Sequence, residues 1–151
     1  MTEGAAPGAV TVRVPMTSAN LGVGFDVLGI ALDMSASFSF EPSDELLVTG
    51  VDERLCGPDN LVWTSYLAAC CELGIDSRTL HIHEDSPIPG AGGLGSSSAC
   101  VVAGIAASQA LEGLDLDRDL TVTMATRLEG HPDNVAPAVM GGLVSSFVDD
   151  E

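Results

Sequence analysis

The sequence contains no lysine: five arginines face 22 acidic residues, and the formal net charge is −17. Recognition of DNA or RNA needs a basic stripe, so this composition argues against a nucleic-acid partner. The charge predicts a protein adapted to a salt-rich cytoplasm, because concentrated salt limits the range of repulsion between carboxylates to a few ångströms. The alternative is an ordinary acidic surface that repels itself in solution.

Long apolar runs and paired cysteine motifs are also lacking. The apolar run at residues 99–107 is far shorter than the ~20 residues of a membrane span. Cys70 and Cys71 are adjacent while Cys56 and Cys100 are isolated, which is not a zinc-ligand spacing and predicts four reduced, structural thiols. The first ten residues lack the basic and apolar regions of a secretory signal. We therefore expect a cytoplasmic protein with no membrane partner.

Apolar residues make up 46% of the chain, which is enough to build the core of one domain. Strand-like patterns fill the first third of the sequence, and helical patterns alternate with strands afterwards. This order predicts an α+β fold in which helices cover one face of a single sheet. We expect a strand over 10–14 that stops at Pro15, a loop over 17–26, a helix capped by Asn60, a helix over 96–111 and one over 120–128.

A glycine- and serine-rich loop, PIPGAGGLGSSSA at 87–99, runs directly into a helical pattern. Gly90, Gly92 and Gly95 formally satisfy the dinucleotide fingerprint, but prolines separate them from the preceding strand. A Walker A loop is excluded because it requires a lysine. The start of a helix offers unpaired N–H groups and the positive end of its dipole, so this loop predicts a phosphate site that needs no cationic side chain.

Two further stretches concentrate polar side chains in predicted loops: TSANLGVGFD at 17–26 and EGHPDNVAPAVMGG at 129–142. Such clusters in a chain this apolar indicate the binding of a small polar substrate. The alternative interpretation is turn chemistry, since Asp and Asn side chains also stabilise tight turns.

Together the three stretches resemble the motifs of the homoserine kinase family, in the GHMP small-molecule kinase superfamily, and they span most of the chain in the same order. The resemblance implies that residues 1–151 form a GHMP-kinase N-terminal ATP-binding domain. It implies ATP-dependent phosphorylation of L-homoserine in threonine biosynthesis, with ATP and Mg²⁺ as cofactors. A C-terminal domain with carboxylate-binding arginines is part of that pattern, so we expect this chain to be an N-terminal fragment.

The resemblance also implies roles for individual residues. The triphosphate is expected to bind to Pro89, Gly90, Ala91, Gly92, Gly93, Leu94, Gly95, Ser96, Ser97, Ser98 and Ala99, and the adenine to Asn60. The amino-acid pocket is expected to include Asn20, Asp26, His131 and Asp133, with either Asp26 or Asp133 holding the substrate ammonium group. Asn134 is expected to meet the reacting hydroxyl, and Ser96 and Glu129 are the expected Mg²⁺ ligands.

Some alternatives stay open at this point. A kinase of the same superfamily acting on mevalonate or shikimate would share the glycine loop, although the other two stretches favour an amino acid. A noncatalytic nucleotide-binding remnant is also compatible with the sequence. Assembly as a homodimer is left open.

Overall fold

The computed structural model describes residues 2–4, 8–88 and 92–148. For residues 2–4, 24 and 25 it describes the backbone alone. Its elements are, in chain order, β1 (Thr2–Gly4), β2 (Val10–Leu21), β3 (Gly24–Pro42), β4 (Leu47–Thr49), a 3₁₀ turn (Glu53–Leu55), α1 (Leu61–Leu73), β5 (Leu80–Asp85), α2 (Ser96–Leu111), α3 (Arg118–Glu129), α4 (Val135–Met140) and β6 (Leu143–Ser145).

The strands form one sheet in the order β1-β2-β3-β5-β4, and β6 pairs with the early part of β3. The pairings are antiparallel except for that of β4 with β5. Alternate residues of the central strands, such as Val12 and Val14 on β2 and Phe38 and Phe40 on β3, are buried. The residues between them are exposed or half-buried, so one face of the sheet carries the core and the other does not.

Helix α2 fills the centre of the core, with 12 of its 16 residues buried. It packs on β2 and against α1 and α3. The close approach to α1 requires Gly104, because a Cβ there would lie 2.4 Å from the Val62 carbonyl oxygen. Among the described residues, no helix has the length and apolarity to cross a bilayer. The α+β fold with helices over one face of the sheet is therefore confirmed.

The strand expected to stop at Pro15 instead continues to Leu21, and the expected loop over 17–26 is mostly the end of β2, a tight turn and the start of β3. Pro15 is tolerated because the pairing register of β2 and β3 shifts between Pro15 and Thr17, so the missing N–H falls at an irregular point of the ladder. The prediction of a loop here was wrong.

Helix α4 was also missed, since 129–142 was interpreted as a loop between a helix and a strand. Pro137 lies in the first turn of α4, where backbone N–H groups have no partner within the helix, so a proline costs little there. The helix over 96–111 was predicted with the observed bounds, as was the Asn60 cap of α1.

Candidate active site

The glycine loop leads into α2 without any side-chain cap. Gly95 is the N-cap residue, it makes no side-chain capping hydrogen bond, and the first turn of α2 carries no acidic residue. The backbone N–H groups of Ser96, Ser97 and Ser98 therefore have no partner within the helix, at the positive end of a 16-residue helix. Of the expected phosphate-binding residues, Pro89, Gly90 and Ala91 lie outside the described residues.

Gly95 is required by both its backbone and its surroundings. Its φ is +71°, a left-handed conformation that side chains disfavour, and a Cβ there would lie 2.1 Å from Oγ1 of Thr17. The backbone N–H of Thr17 donates to the carbonyl oxygen of Leu94, 3.3 Å away. The loop is thus packed directly on strand β2.

Asn134 lies at the same point, because Oγ1 of Thr17 donates a 2.8 Å hydrogen bond to Oδ1 of Asn134. The position of a Cβ on Gly95 would be 3.4 Å from that Oδ1. The residue expected to meet the reacting hydroxyl is therefore adjacent to the expected phosphate loop, although 39 positions separate Gly95 and Asn134 in the sequence.

Asp133 is 1% exposed, and its carboxylate is used within its own loop. Its Oδ1 accepts from the backbone N–H of Asn134 at 3.0 Å and lies 2.8 Å from Nδ1 of His131. The Asp133 carbonyl packs on β3 so closely that a Cβ on Gly29 would lie 1.8 Å from its oxygen. Asp133 thus holds the loop, whereas the His131 side chain is 51% exposed.

Asn20 and Asp26 flank the turn between β2 and β3, and both are exposed with left-handed φ values of 58° and 56°. Oδ1 of Asn20 accepts from the backbone N–H of Asp26 at 2.9 Å. Within residues 8–88 and 92–148, the Asp26 carboxylate has neither a hydrogen bond nor an ion pair. The structure brings these two residues together at the turn. The Asp133 loop packs on β3 at Gly29, three residues beyond Asp26.

Glu129, the last residue of α3, turns its carboxylate toward the start of α2. Oε1 accepts a short hydrogen bond from the Ser97 hydroxyl, and Oε2 accepts from the Ser98 hydroxyl at 3.0 Å. The expected metal pair was Ser96 with Glu129. The serine hydroxyls that contact this carboxylate are instead the next two along the helix.

Asn60 is 6% exposed and is committed to the fold. Its Oδ1 accepts from the Trp63 N–H at 3.0 Å, and its Nδ2 donates to the Leu55 carbonyl at 3.1 Å and to Oε1 of Glu84 at 2.8 Å. Both amide protons are donated within the fold, so none remains for an adenine ring.

Glu84 and Thr17 are among the buried polar residues that sequence reasoning missed. Glu84 is 4% exposed, and burial raises its pKa despite the hydrogen bond from Asn60. Burial likewise raises the pKa of the nearby Cys100 thiol to about 12, with the Glu84 carboxylate adding to the shift. Glu84 is the next residue after Leu80 and Ile82 on the same face of strand β5, so the alternation along this strand could have predicted that it is buried. Thr17 had no such signal, because its segment was interpreted as a loop.

The family model described as GHMP kinases N terminal domain matches residues 60–142. The chain is 41% identical to a homoserine kinase of Clostridium beijerinckii over 143 residues, covering 93% of this chain and 48% of that protein. It is 46% identical to a homoserine kinase of Thermus thermophilus, covering 90% of this chain and 47% of that protein. The chain thus spans about half the length of the curated relatives it matches.

Solved structures agree on the architecture. A homoserine kinase from Cytophaga hutchinsonii superposes with a TM-score of 0.82 at 32% identity, over 98% of this chain and 51% of that one. The mevalonate kinase of Methanococcus jannaschii has a TM-score of 0.73 at 16% identity, over 90% of this chain and 52% of that one, which shows a shared fold alone.

Proposed function

This chain belongs to the GHMP kinase family through its N-terminal domain, and from that premise we propose that the protein transfers the γ-phosphoryl group of ATP to the side-chain hydroxyl of L-homoserine. The product would be O-phospho-L-homoserine, an intermediate of threonine biosynthesis. Relatives named homoserine kinase, at 41–46% identity over most of this chain, support this substrate. We expect the reaction to take place in the cytoplasm, and assembly as a homodimer stays a prediction.

The observation that carries the proposal is the contact of Thr17 with both Asn134 and the glycine loop. One buried side chain joins the residue expected at the acceptor hydroxyl to the loop expected at the phosphates. Phosphoryl transfer depends chiefly on the alignment of acceptor and phosphate, because its transition state is loose and needs little covalent help from the protein. This packing supports the proposal, because it would hold the two expected sites next to each other.

The phosphate site proposed for Pro89 to Ala99 uses the uncapped start of α2. Backbone N–H groups and the helix dipole bind negative charge there without a lysine, which the chain lacks. As transfer proceeds, the same groups stabilise charge on the phosphoryl oxygens.

The residues beside this loop fit a magnesium ion. Mg²⁺ prefers hard oxygen ligands, and the Glu129 carboxylate lies with the Ser97 and Ser98 hydroxyls at the first turn of α2. When bound, the ion would neutralise phosphate charge. We propose Glu129 and Ser97 as its ligands, because Ser97 contacts this carboxylate and is exposed, whereas Ser98 is buried. The role predicted for Ser96 is then limited to the phosphate loop.

In the proposed amino-acid pocket, Asp26 suits the substrate ammonium group better than Asp133 does. The Asp26 carboxylate is exposed and has no partner in the described part of the chain, whereas that of Asp133 is buried beside His131. His131 and Asn20 complete the proposed polar lining. No general base is needed, since the acceptor proton can leave late in a loose transition state.

The test is a substrate panel with the full-length protein, ATP and Mg²⁺. We expect L-homoserine to be phosphorylated well above mevalonate and shikimate, with O-phosphohomoserine identified by ³¹P NMR. A homoserine analogue without the amino group serves as the matched control and should react poorly. Equal rates on the analogue, or preferred turnover of mevalonate, would contradict the proposal.

A further inference from the structure

Thr17 touches two of the three motifs that the sequence singled out, and it belongs to the third. Its side chain is fully buried in the second half of β2. Its hydroxyl donates to Oδ1 of Asn134 at 2.8 Å, its N–H donates to the Leu94 carbonyl at 3.3 Å, and the missing Cβ of Gly95 leaves room for its Oγ1.

The hydrogen bond determines which end of the Asn134 amide is free. An asparagine side chain offers an accepting oxygen at one end and two N–H donors at the other. Thr17 occupies the oxygen with its hydroxyl proton. Within residues 8–88 and 92–148, Nδ2 of Asn134 has no hydrogen-bond partner, so the free end of this amide carries donors.

Threonine is well suited to hold such an orientation. Its branched Cβ restricts χ1, so a buried threonine on a strand keeps its hydroxyl in one direction with little entropy left to lose. The backbone contact with Leu94 fixes the same residue relative to the glycine loop. Asn134 is therefore oriented by a group that is itself packed against the proposed phosphate site.

We propose that Thr17 is a positioning residue: by donating its hydroxyl to Oδ1 of Asn134, it makes that amide present N–H donors, and not its oxygen, to the reacting groups. The inference rests on the proposed kinase function and assigns Asn134 a defined chemistry. An N–H donor stabilises negative charge on an acceptor or phosphoryl oxygen, and it cannot take a proton from the substrate hydroxyl.

The activity test compares Thr17→Val with Thr17→Ser in the full-length protein. Valine keeps the shape and removes the donor, whereas serine keeps the donor. We expect T17V to lower kcat about tenfold or more, as misplaced catalytic groups do, with KM for ATP changed less than about twofold. T17S should recover most of kcat. If T17V fails to fold, Thr17→Ala removes the same hydroxyl without adding a methyl group and replaces it.

A double-mutant cycle tests whether Thr17 acts through Asn134. In an Asn134→Ala background, T17V should cause no further loss of kcat, because the group that it positions is already absent. Full additivity of the two losses would overturn the proposal, and so would a T17V enzyme as active as the wild type or a T17S enzyme as impaired as T17V.

A titration gives a readout that needs no turnover. Asn134→Asp places a carboxylate where Oδ1 accepts, and a donated hydrogen bond lowers the pKa of a carboxyl group. Followed by ¹³C NMR, this new carboxyl should titrate at lower pH with Thr17 present than in the T17V background. Equal pKa values would overturn the role of Thr17. If the Asn134→Asp carboxyl shows the expected pKa difference but the wild-type protein does not phosphorylate homoserine, the proposed function is contradicted instead.

Discussion

Replacing Gly95 by alanine tests the packing at the centre of the candidate site. The new Cβ would lie 2.1 Å from Oγ1 of Thr17, at a backbone φ of +71°. Left-handed backbone costs a non-glycine residue about 1–2 kcal/mol, and overpacking a close-packed site costs about 1–3 kcal/mol. We expect Gly95→Ala to lower the free energy of unfolding by about 2–5 kcal/mol, a large share of the 5–15 kcal/mol of a usual domain.

Gly93→Ala is the matched control. Its φ of +66° is nearly the same, yet no atom of the described residues beyond its chain neighbours lies within 4 Å of the position of its Cβ. It should therefore cost only the backbone strain of about 1–2 kcal/mol. The difference between the two variants isolates the overlap with Thr17.

The assay is urea unfolding followed by circular dichroism, with the midpoint and slope fitted for each variant. In a Thr17→Ala background the obstructing oxygen is gone, so the cost of Gly95→Ala should fall toward that of Gly93→Ala. Equal costs of the two glycine substitutions in the wild-type background would refute the close approach of loop and strand. An undiminished cost of Gly95→Ala in the T17A background would refute it as well.

Three other perturbations have defined outcomes. Because burial raises the pKa of Glu84, the folded protein holds that proton more tightly than the unfolded chain, so stability should fall as pH rises from the usual Glu range through the raised pKa. Glu84→Gln keeps an acceptor for Asn60 and should flatten the pH dependence of the urea unfolding midpoint between about pH 4 and about pH 7. An unchanged pH dependence in this variant would contradict the raised pKa of Glu84. Ser97→Ala should raise the Mg²⁺ concentration needed for half-maximal turnover more than Ser96→Ala does, because Ser97 contacts Glu129, and the reverse order would return the metal role to Ser96. With a net charge of −17, the melting temperature should rise in KCl up to about 1 M, where the Debye length is about 3 Å; a fall would contradict adaptation to salt.

Much of the fold could be predicted because its signals are local. Asn60 and Gly74 bound α1 through a side-chain cap and a left-handed C-cap, both of which depend on residue type at one position. The glycine loop and helix α2 could likewise be predicted, because their signals lie in one continuous stretch of sequence. Pro15 misled the prediction, since it was treated as the end of a strand although it lies at a register shift. Helix α4 was missed because its segment was interpreted as a loop from its polar side chains.

The same distinction between local sequence patterns and tertiary packing applies to the candidate site. The sequence by itself determined which polar residues could serve a phosphate and an amino acid, because motifs such as GLGSSSA and GHPDN specify side-chain chemistry at short spacing. Only the tertiary structure decided which contacts they make: that Thr17 donates to Asn134, that Glu129 contacts Ser97 and Ser98, and that Asn60 and Asp133 form hydrogen bonds within the fold. Some of these contacts join residues from different elements, and others depend on burial. Such contacts and burial arise only when β2, α2 and α3 pack on one another, and no local sequence pattern encodes that packing.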